Sequence, residues 1–455
     1  MSEIKAGPRL LPLTVALGII LWLFVTTGWR QVFVKEVLGS AYDSQAEHFL
    51  RGDVGIDVDD IRHEAMIVNG KVYTYFGPFP AFLRIPLNFL YPHARGKWSR
   101  LSGFTAGMVA LLAFAGLIRD RLRTASLRPW QRELIANVSL LGFAFASPLL
   151  LLLGNLSIYD EAVIWGFAAS IAALFFAYRA WDAAESASPW MLLGFSVSAS
   201  AALLSRVTFG LPLFLFAPVF LPKLWRQRRL AQLAALVLPI LAGGLFYVLL
   251  GYARFGTPLG VDYNNYINPT HREFAHQHHT LDLSRVPASV IDYFGVRFPP
   301  TEDKAPFLRG ERRPYHHPTL YSLDFSETYL SVFWGSSWLL FGAIIGLFFL
   351  FTRQGQTFER ILAGACAIEA VVILSYYALA QRYSTDLFPL LIVCFLVFLR
   401  VNGNILRRTL YIVVALTLFS VVVNSLTTIS WLIDSDMNVP PATRATWRTL
   451  LGRQP

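Results

Sequence analysis

The sequence predicts an all-α polytopic membrane protein. Of its 455 residues, 55% are hydrophobic and only 15% are charged, whereas a soluble domain carries about 25% charged residues. The mean hydropathy is +0.48, and apolar runs of the length that crosses a bilayer recur along the whole chain. The two cysteines, Cys366 and Cys394, both lie in such runs, so we expect no disulfide framework.

Apolar windows predict about eleven transmembrane helices, and the first is too long for the core of a cleavable signal peptide. The windows cover residues 10–29, 101–118, 134–154, 162–178, 190–205, 207–221, 231–250, 332–352, 361–379, 385–399 and 409–431. With eleven spans, four Arg-rich connectors share one side of the membrane with the N-terminus, namely 119–132, 223–229, 353–360 and 400–408. The positive-inside rule makes that side cytoplasmic, and we expect a bacterial plasma membrane. The formal net charge of +10 reflects these span ends and predicts no nucleic-acid partner.

The apolar segment Phe79–Tyr91 is predicted not to cross the membrane. It is short, contains two prolines and carries the charge of Arg84, so it suits a juxtamembrane helix in the interface. The polar segments then gather on the outer side, chiefly in the loops 30–100 and 251–331. The second loop is too long for a plain connector, so we expect it to be ordered. The whole chain, 1–455, is predicted to form one transmembrane domain.

The first outer loop concentrates carboxylates directly after the first span, at Asp43, Glu47, Asp53, Asp57, Asp59, Asp60 and Glu64. Asp43 and Glu47 share one face of AYDSQAEHFL, which has helical spacing, and we interpret Asp43 as a general base and Glu47 as a substrate contact. The alternative for Asp43 is the N-cap of a solvated helix. The run GDVGIDVDD suggests a divalent cation as cofactor, but it lacks the Gly and the closing Glu of an EF-hand. A solvated acidic turn is favoured, and no metal ligand is assigned.

Two further groups of outer residues carry charge close to the bilayer. Asp160 and Glu161, in the turn NLSIYDEA, are costly there and are predicted to contact the substrate, although a favourable charge at a helix N-terminus is the alternative. Arg206 in LLSRVTF, and Arg382 with Tyr383 in AQRYSTDLFPLL, lie outside against the positive-inside trend. Their planar guanidinium groups suit an anionic lipid phosphate, and headgroup snorkelling is the alternative.

These segments together resemble the GT-C superfamily of integral-membrane glycosyltransferases, which take sugar from polyprenyl-phosphate-linked donors. The resemblance rests on YDSQAEHFLRGD with its continuation NGKVYTYFGPFPAFLRIPLNFL, on NLSIYDEA, and on the pair LLSRVTF and QRYSTDLFPLL. It covers the layout of most of the chain through short motifs. In this superfamily an acidic residue of the first outer loop serves as base, and the best match here is Asp43. The chain has Asp-Ser where the protein mannosyltransferase and aminoarabinose transferase branches have an adjacent Asp-Glu pair.

The resemblance implies transfer of a sugar from a polyprenyl-phosphate donor to a glycan, lipid or protein acceptor of the cell envelope, on the extracytoplasmic face. A phosphate leaves as an anion and needs positive charge, here from Arg206 and Arg382, whereas the acceptor hydroxyl needs a base. Direct displacement predicts inversion at the anomeric carbon. A transporter would show repeated halves and polar residues near span centres, and the sequence shows neither. A polysaccharide polymerase or ligase is the closer alternative, and a non-enzymatic assembly factor is a third.

Overall fold

The structure is a computed structural model that describes residues 7–183, 188–258, 261, 263–311, 325–352, 355–400, 403–435 and 438–454. Its α-helices are α1 Leu11–Val25, α2 Ala41–Leu50, α3 Val58–Ile61, α4 Phe79–Leu90, α5 Ser99–Arg123, α6 Pro129–Phe145, α7 Pro148–Gly154, α8 Ile158–Asp182, α9 Pro189–Ser205, α10 Val207–Phe216, α11 Leu221–Arg226, α12 Leu230–Phe255, α13 Pro269–His278, α14 Val286–Phe294, α15 Val332–Gly335, α16 Ser337–Leu350, α17 Thr357–Leu374, α18 Phe388–Arg400, α19 Gly403–Asp434 and α20 Pro441–Leu450. The strands are β1 Met66–Val68, β2 Lys71–Tyr73, β3 Phe325–Ser326 and β4 Ala378–Leu379.

The helices confirm the predicted fold class. Seven helical segments are long and apolar enough to cross a membrane, namely Ser99–Arg123, Pro129–Gly154, Ile158–Asp182, Val207–Arg226, Leu230–Phe255, Gln381–Arg400 and Gly403–Asp434. Three further predicted spans correspond to the shorter apolar helices α1, α9 and α16. The last corresponds to α17, which carries Glu359 and Glu369. Within the described residues, each of the eleven predicted spans therefore coincides with helical structure.

One predicted span, 134–154, is divided into α6 and α7. Ser147 interrupts it because its hydroxyl donates to the Phe143 carbonyl (2.7 Å) and accepts from the Leu149 amide (3.1 Å). Pro148 then occupies the first position of α7, where its missing N–H costs nothing. The sequence shows this Ser-Pro pair, but hydropathy alone does not register it.

The interior of the bundle is built around α8 and α18, which are buried over most of their length. Aromatic side chains fill the space beside them, and the rings of Phe114 and Phe143 stack with centroids 4.2 Å apart. By contrast, α12 exposes Leu238, Leu241 and Leu245 along one face. A helix that exposes leucines at this spacing suits contact with lipid.

The first predicted outer loop folds against one end of the bundle as α2, α3, the β1–β2 hairpin and α4. The hairpin is antiparallel and pairs Met66 with Tyr73. α4 has 12 residues, so it is about 18 Å long. That it lies in the interface and does not cross the membrane stays a prediction. Its Arg84 is fully buried and donates a hydrogen bond of 2.5 Å to Glu161 on α8.

Gly77 lets the chain between β2 and α4 approach the end of α9. A Cβ at this position would lie 2.2 Å from the carbonyl oxygen of Leu204 and 2.5 Å from that of Ser205. Only glycine fits such a close backbone contact. The contact fixes the adjacent Phe76, whose ring packs edge-on against Tyr159 at the start of α8 (5.6 Å between centroids).

The described part of the predicted loop 251–331 is ordered and lies at the same end of the bundle. It contains α13 and α14, and β3 pairs with β4 in parallel. The C-terminal tail is tied to it, since Arg453 donates to the Glu302 carboxylate (2.7 Å) and to the Ala305 carbonyl (2.5 Å). Segments that are far apart in sequence therefore meet above one end of the helices.

Candidate functional site

A cavity of about 820 Å³ opens where these segments meet. Its walls come from the first outer loop, the start of α8, the loop 263–310, the segment 376–383 and the end of α19. The two outer loops and the turn at the start of α8 were predicted to lie on the outer side, whereas Tyr376 and Tyr377 fall within the predicted span 361–379 and Trp431 within 409–431. Among the described residues, seven tyrosines line the cavity, at Tyr75, Tyr159, Tyr263, Tyr266, Tyr376, Tyr377 and Tyr383. A wall of this kind offers flat apolar faces together with hydroxyl groups.

Part of this tyrosine wall is a chain of hydroxyl groups. The Tyr263 hydroxyl lies 3.2 Å from that of Tyr376 and 3.4 Å from that of Tyr377. Burial raises the pKa of Tyr263, so the hydroxyl stays protonated at neutral pH. These groups can donate and accept hydrogen bonds, which suits a ligand rich in hydroxyl groups.

Glu64 is the carboxylate that the cavity wall holds most firmly. It accepts hydrogen bonds from the hydroxyl groups of Tyr75 (2.6 Å), Tyr266 (2.7 Å) and Tyr159 (2.5 Å). Burial, with the nearby Glu64 charge as the next cause, raises the pKa values of Tyr75 and Tyr266, so both remain donors. Three donors from different parts of the chain thus fix one carboxylate in one orientation.

His63, next to Glu64, also lies in the cavity wall. Its Nε2 is 3.2 Å from the Tyr159 hydroxyl oxygen and 3.8 Å from Glu64 Oε1. The chain reaches this arrangement through Arg62, which has φ +51° and ψ −120°. A non-glycine residue in that region is strained. The strained turn directs the consecutive side chains of His63 and Glu64 to the same cavity.

Arg382 supplies a buried cation to the cavity wall. It donates to both carboxylate oxygens of Glu327, at 2.8 and 2.7 Å. Its guanidinium lies over the ring of Tyr159, 4.8 Å from the centroid, and over that of Tyr383 at 5.1 Å. A planar guanidinium held in this way presents its donors as a fork that fits a carboxylate or a phosphate.

Arg206, the second predicted arginine, does not line the cavity but lies behind it. Its guanidinium is 5.1 Å from the centroid of the Tyr383 ring, and it bonds Asp386 at 3.3 Å. Thr208 also donates to Asp386. Tyr383 therefore contacts both predicted arginines, Arg382 in the cavity and Arg206 beyond it.

Asp43, which the sequence suggests as the base, lies outside the cavity wall. It is fully buried, with Oδ2 3.8 Å from Nε of Arg84. Burial raises its pKa to about 6, against the opposing effect of Arg84. α2 buries Asp43 together with Tyr42 and Ala46. Asp43 is not among the residues that line the cavity, and its role as the base stays a prediction.

The other three predicted acidic residues also have structural partners. Glu161 is fully buried and bonds Arg84. Asp160 accepts from Asn155 (2.6 Å) and Ser157 (2.8 Å) in the first turn of α8. Glu47 accepts from Arg95 at 2.6 Å on the surface. None of the three is among the residues that line the cavity, and their contacts with the substrate stay predictions.

The acidic run from Asp53 to Asp60 forms a partly exposed network. Asp53 bonds His48 Nδ1 at 2.7 Å, and Asp57 bonds Ser44 at 2.9 Å. These hydrogen bonds lower the pKa of both carboxyl groups. Among the residues that the structure describes, no group of three or more His, Cys, Asp or Glu side chains has the geometry to hold a metal ion. The run therefore has the partners expected of an acidic turn.

The sequence did not single out His63, Tyr159 or Glu327, and it counted Glu64 only as one carboxylate among several. Tyr159 stands directly before Asp160 in the turn that was selected. Glu64 follows the acidic run by only a few positions. Tyr159 and Glu64 could therefore have been noticed from their closeness to the selected segments. That closeness does not indicate which side chain faces the cavity.

The fold and the cavity together define a class, a polytopic helical membrane protein with a polar, tyrosine-lined cavity at one end of its bundle. No protein-family model matches the sequence, and a comparison with curated proteins finds no match.

Three solved structures are similar in fold. One is the oligosaccharyltransferase of Archaeoglobus fulgidus in the apo form, at 13% identity and TM-score 0.46, over 93% of this chain and 58% of that chain. Another is ArnT from Cupriavidus metallidurans bound to undecaprenyl phosphate, at 12% identity and TM-score 0.49, over 97% of this chain and 77% of that one. The third is the A. fulgidus oligosaccharyltransferase AglB with an inhibitory peptide and a dolichol-phosphate, at 12% identity and TM-score 0.45, over 97% and 60%.

Proposed function

We propose that this chain is a membrane glycosyltransferase that moves a sugar from a polyprenyl-phosphate donor to an acceptor hydroxyl, with inversion. One observation carries the proposal. Tyr159 joins a cation and a carboxylate within one cavity, because its ring lies under Arg382 (4.8 Å) and its hydroxyl bonds Glu64 (2.5 Å). The Arg382 guanidinium, which would stabilise a leaving phosphate, and the Glu64 carboxylate thus contact the same tyrosine side chain. Groups that face one cavity can hold a donor phosphate and an acceptor together, which a direct displacement requires.

The phosphate side of the site is Arg382. One guanidinium nitrogen, Nη1, bonds both carboxylate oxygens of Glu327, which are placed as two oxygens of a phosphate would be. A donor phosphate would replace this carboxylate and keep the same two hydrogen bonds. Glu327 then marks the position of the phosphate and competes with it.

The polyprenyl chain of the donor is placed along α10, next to Arg206. On α10, the residues Val207, Leu211 and Leu215 are exposed and follow each other at intervals of four. They form an apolar stripe on one helix face that starts beside Arg206. A polyprenyl chain packed on this stripe would bring its phosphate to Arg206 and, past Tyr383, to Arg382.

The acceptor side is the remainder of the tyrosine wall. The cavity volume of about 820 Å³ falls within the usual range of roughly 300–1,000 Å³ for small-molecule sites. Tyrosine faces stack on the apolar side of a sugar ring, while their hydroxyl groups bond its hydroxyls. The acceptor class that fits is therefore a glycan, or a lipid or protein that offers a hydroxyl group.

The test uses the purified protein in nanodiscs with polyprenyl monophosphate sugars and a detergent extract of cell envelope as acceptor. We expect release of free polyprenyl phosphate together with labelled product, and loss of both in Arg382→Ala. Arg309→Ala is the matched control, because Arg309 lines the same cavity but is half-exposed. No release from any monophosphate donor, or equal release by wild type and Arg382→Ala, would contradict the proposal. Turnover with diphosphate-linked glycans alone would favour a polymerase or ligase.

A further inference from the structure

The structure assigns the role of general base to His63, which is held by a chain of hydrogen bonds through Tyr159 to Glu64. This inference rests on the proposed glycosyl transfer and names the residue that activates the acceptor. The two contacts that form the chain are the 3.2 Å contact from His63 Nε2 to the Tyr159 oxygen and the 2.5 Å bond from Tyr159 to Glu64.

The donor and acceptor of each of these two hydrogen bonds follow from which groups carry a proton. An ionised carboxylate only accepts hydrogen bonds, so the single phenolic proton of Tyr159 is donated to Glu64. The Tyr159 oxygen therefore faces His63 as an acceptor, and Nε2 of His63 must carry a hydrogen. This assignment comes from the hydrogen-bond network. It leaves Nδ1 with its lone pair, and Nδ1 is the atom that can take a proton.

The position of His63 suits that role. The residue lines the cavity, and its side chain is 54% exposed, so it is open both to an acceptor and to water. Asp43, in contrast, is fully buried below the cavity. A base that a third group orients by a hydrogen bond can activate a hydroxyl group.

The step can be written with all its atoms. The acceptor oxygen forms a bond to the anomeric carbon while the bond from that carbon to the phosphate oxygen breaks. The electron pair leaves with the phosphate, and Arg382 stabilises the resulting charge. The hydroxyl proton moves to Nδ1 of His63, and the Glu64 carboxylate, 3.8 Å from Nε2, stabilises the imidazolium. The imidazolium then releases this proton to water.

The neighbouring tyrosines provide a matched pair of variants. Tyr75 and Tyr159 both donate to Glu64. Of these two tyrosines, Tyr159 is the one within hydrogen-bond distance of His63. Tyr159→Phe keeps the ring under Arg382 and removes the link to His63. Tyr75→Phe removes a donor to Glu64 and leaves that link in place. Tyr159 is a positioning residue, so we expect its loss to lower kcat and leave the donor KM unchanged.

The experiment measures kcat and donor KM for the wild type and these variants in the nanodisc assay. His63→Ala should lose roughly 10²–10⁴ in kcat, the usual contribution of a general base, and added imidazole should restore part of it. His271→Ala is the control, since His271 lies in the same cavity wall, and it should show no imidazole-dependent rescue. We expect Tyr159→Phe to lose about tenfold in kcat and Tyr75→Phe less than about threefold, both below the roughly 10²–10⁴ of the base itself.

The outcomes separate the two proposals. Full activity in His63→Ala, or an equal loss in the two tyrosine variants, overturns the assignment of the base and leaves glycosyl transfer standing. A loss in His63→Ala that imidazole does not relieve, in a protein that still elutes and melts as the wild type, also overturns it. A wild type without transfer activity overturns both proposals.

Discussion

Replacing Asp43 by Asn should stabilise the protein at neutral pH and leave its activity intact. Asp43, Arg84 and Glu161 form a buried group of one positive and two negative charges, with distances of 3.8 and 2.5 Å to the arginine. One excess negative charge is therefore buried. Asparagine removes it and keeps an oxygen as hydrogen-bond acceptor.

The size of the effect follows from the pKa of Asp43. Burial raises this pKa from 3.8 to about 6, and each pKa unit corresponds to about 1.4 kcal/mol, so the total is about 3 kcal/mol. The folded state holds the proton more tightly than the unfolded state. The stabilisation is therefore complete below pH 3.8 and is lost as the pH rises to about 6. Above that pH, Asp43→Asn should recover up to about 3 kcal/mol.

The assay is thermal unfolding of the detergent-solubilised protein at pH 4.5 and 7.5, together with the transfer assay. We expect the Tm of Asp43→Asn to exceed that of the wild type more at pH 7.5 than at pH 4.5. Asp53→Asn is the control with the opposite sign, because hydrogen bonding to His48 lowers the pKa of Asp53. Its effect should be small, since this side chain is about half-exposed. Loss of transfer in Asp43→Asn at unchanged Tm would refute this reasoning and restore Asp43 as the base.

Four further substitutions test the site and its support. Arg382→Lys keeps the charge but loses the fork, so donor binding should weaken roughly tenfold while acceptor KM stays constant, as measured by titration with polyprenyl phosphate. Glu327→Gln removes the competing carboxylate and should tighten the same binding by several-fold; unchanged affinity would show that the pair does not cover the phosphate site. Arg84→Met leaves two buried carboxylates without their cation and should cost about 3–5 kcal/mol, seen as poor expression and a lower Tm. Gly77→Ala should cost about 1–3 kcal/mol by crowding the Leu204 carbonyl, and an unshifted Tm would contradict that contact.

The fold was predictable because a bilayer imposes strong rules on the sequence. Every spanning segment must be apolar and helical, so hydropathy located the helices to within a few residues. The short helix α4 coincides with the segment Phe79–Tyr91 that the sequence singled out. The break at Ser147 was missed because it depends on one side-chain hydrogen bond, which an average over an apolar window does not contain.

The candidate site was only partly predictable. Arg382 and Tyr383 do lie in the cavity wall, and both were selected because an arginine on the outer side has few structural uses. Asp43 and Glu161 were selected because carboxylates near a bilayer are costly. In the structure the buried Arg84 offsets the cost of these two carboxylates, because both lie beside its guanidinium. A buried arginine on α4 requires buried acids, so these acids need no catalytic role to account for them.

The turn at the start of α8 shows why sequence alone could not select the right residue there. Tyr159, Asp160 and Glu161 are consecutive, and successive side chains of a helix point about 100° apart. Three such residues must face three different surroundings. Tyr159 faces the cavity and bonds Glu64, Asp160 turns back to Asn155 and Ser157, and Glu161 reaches Arg84. The sequence selected Asp160 and Glu161 because their carboxylates are charged, whereas the residue of this turn that lines the cavity is Tyr159. Tyr159 carries no charge, so a search for charged residues does not select it. It contacts Arg382, Glu64 and His63 in the cavity wall.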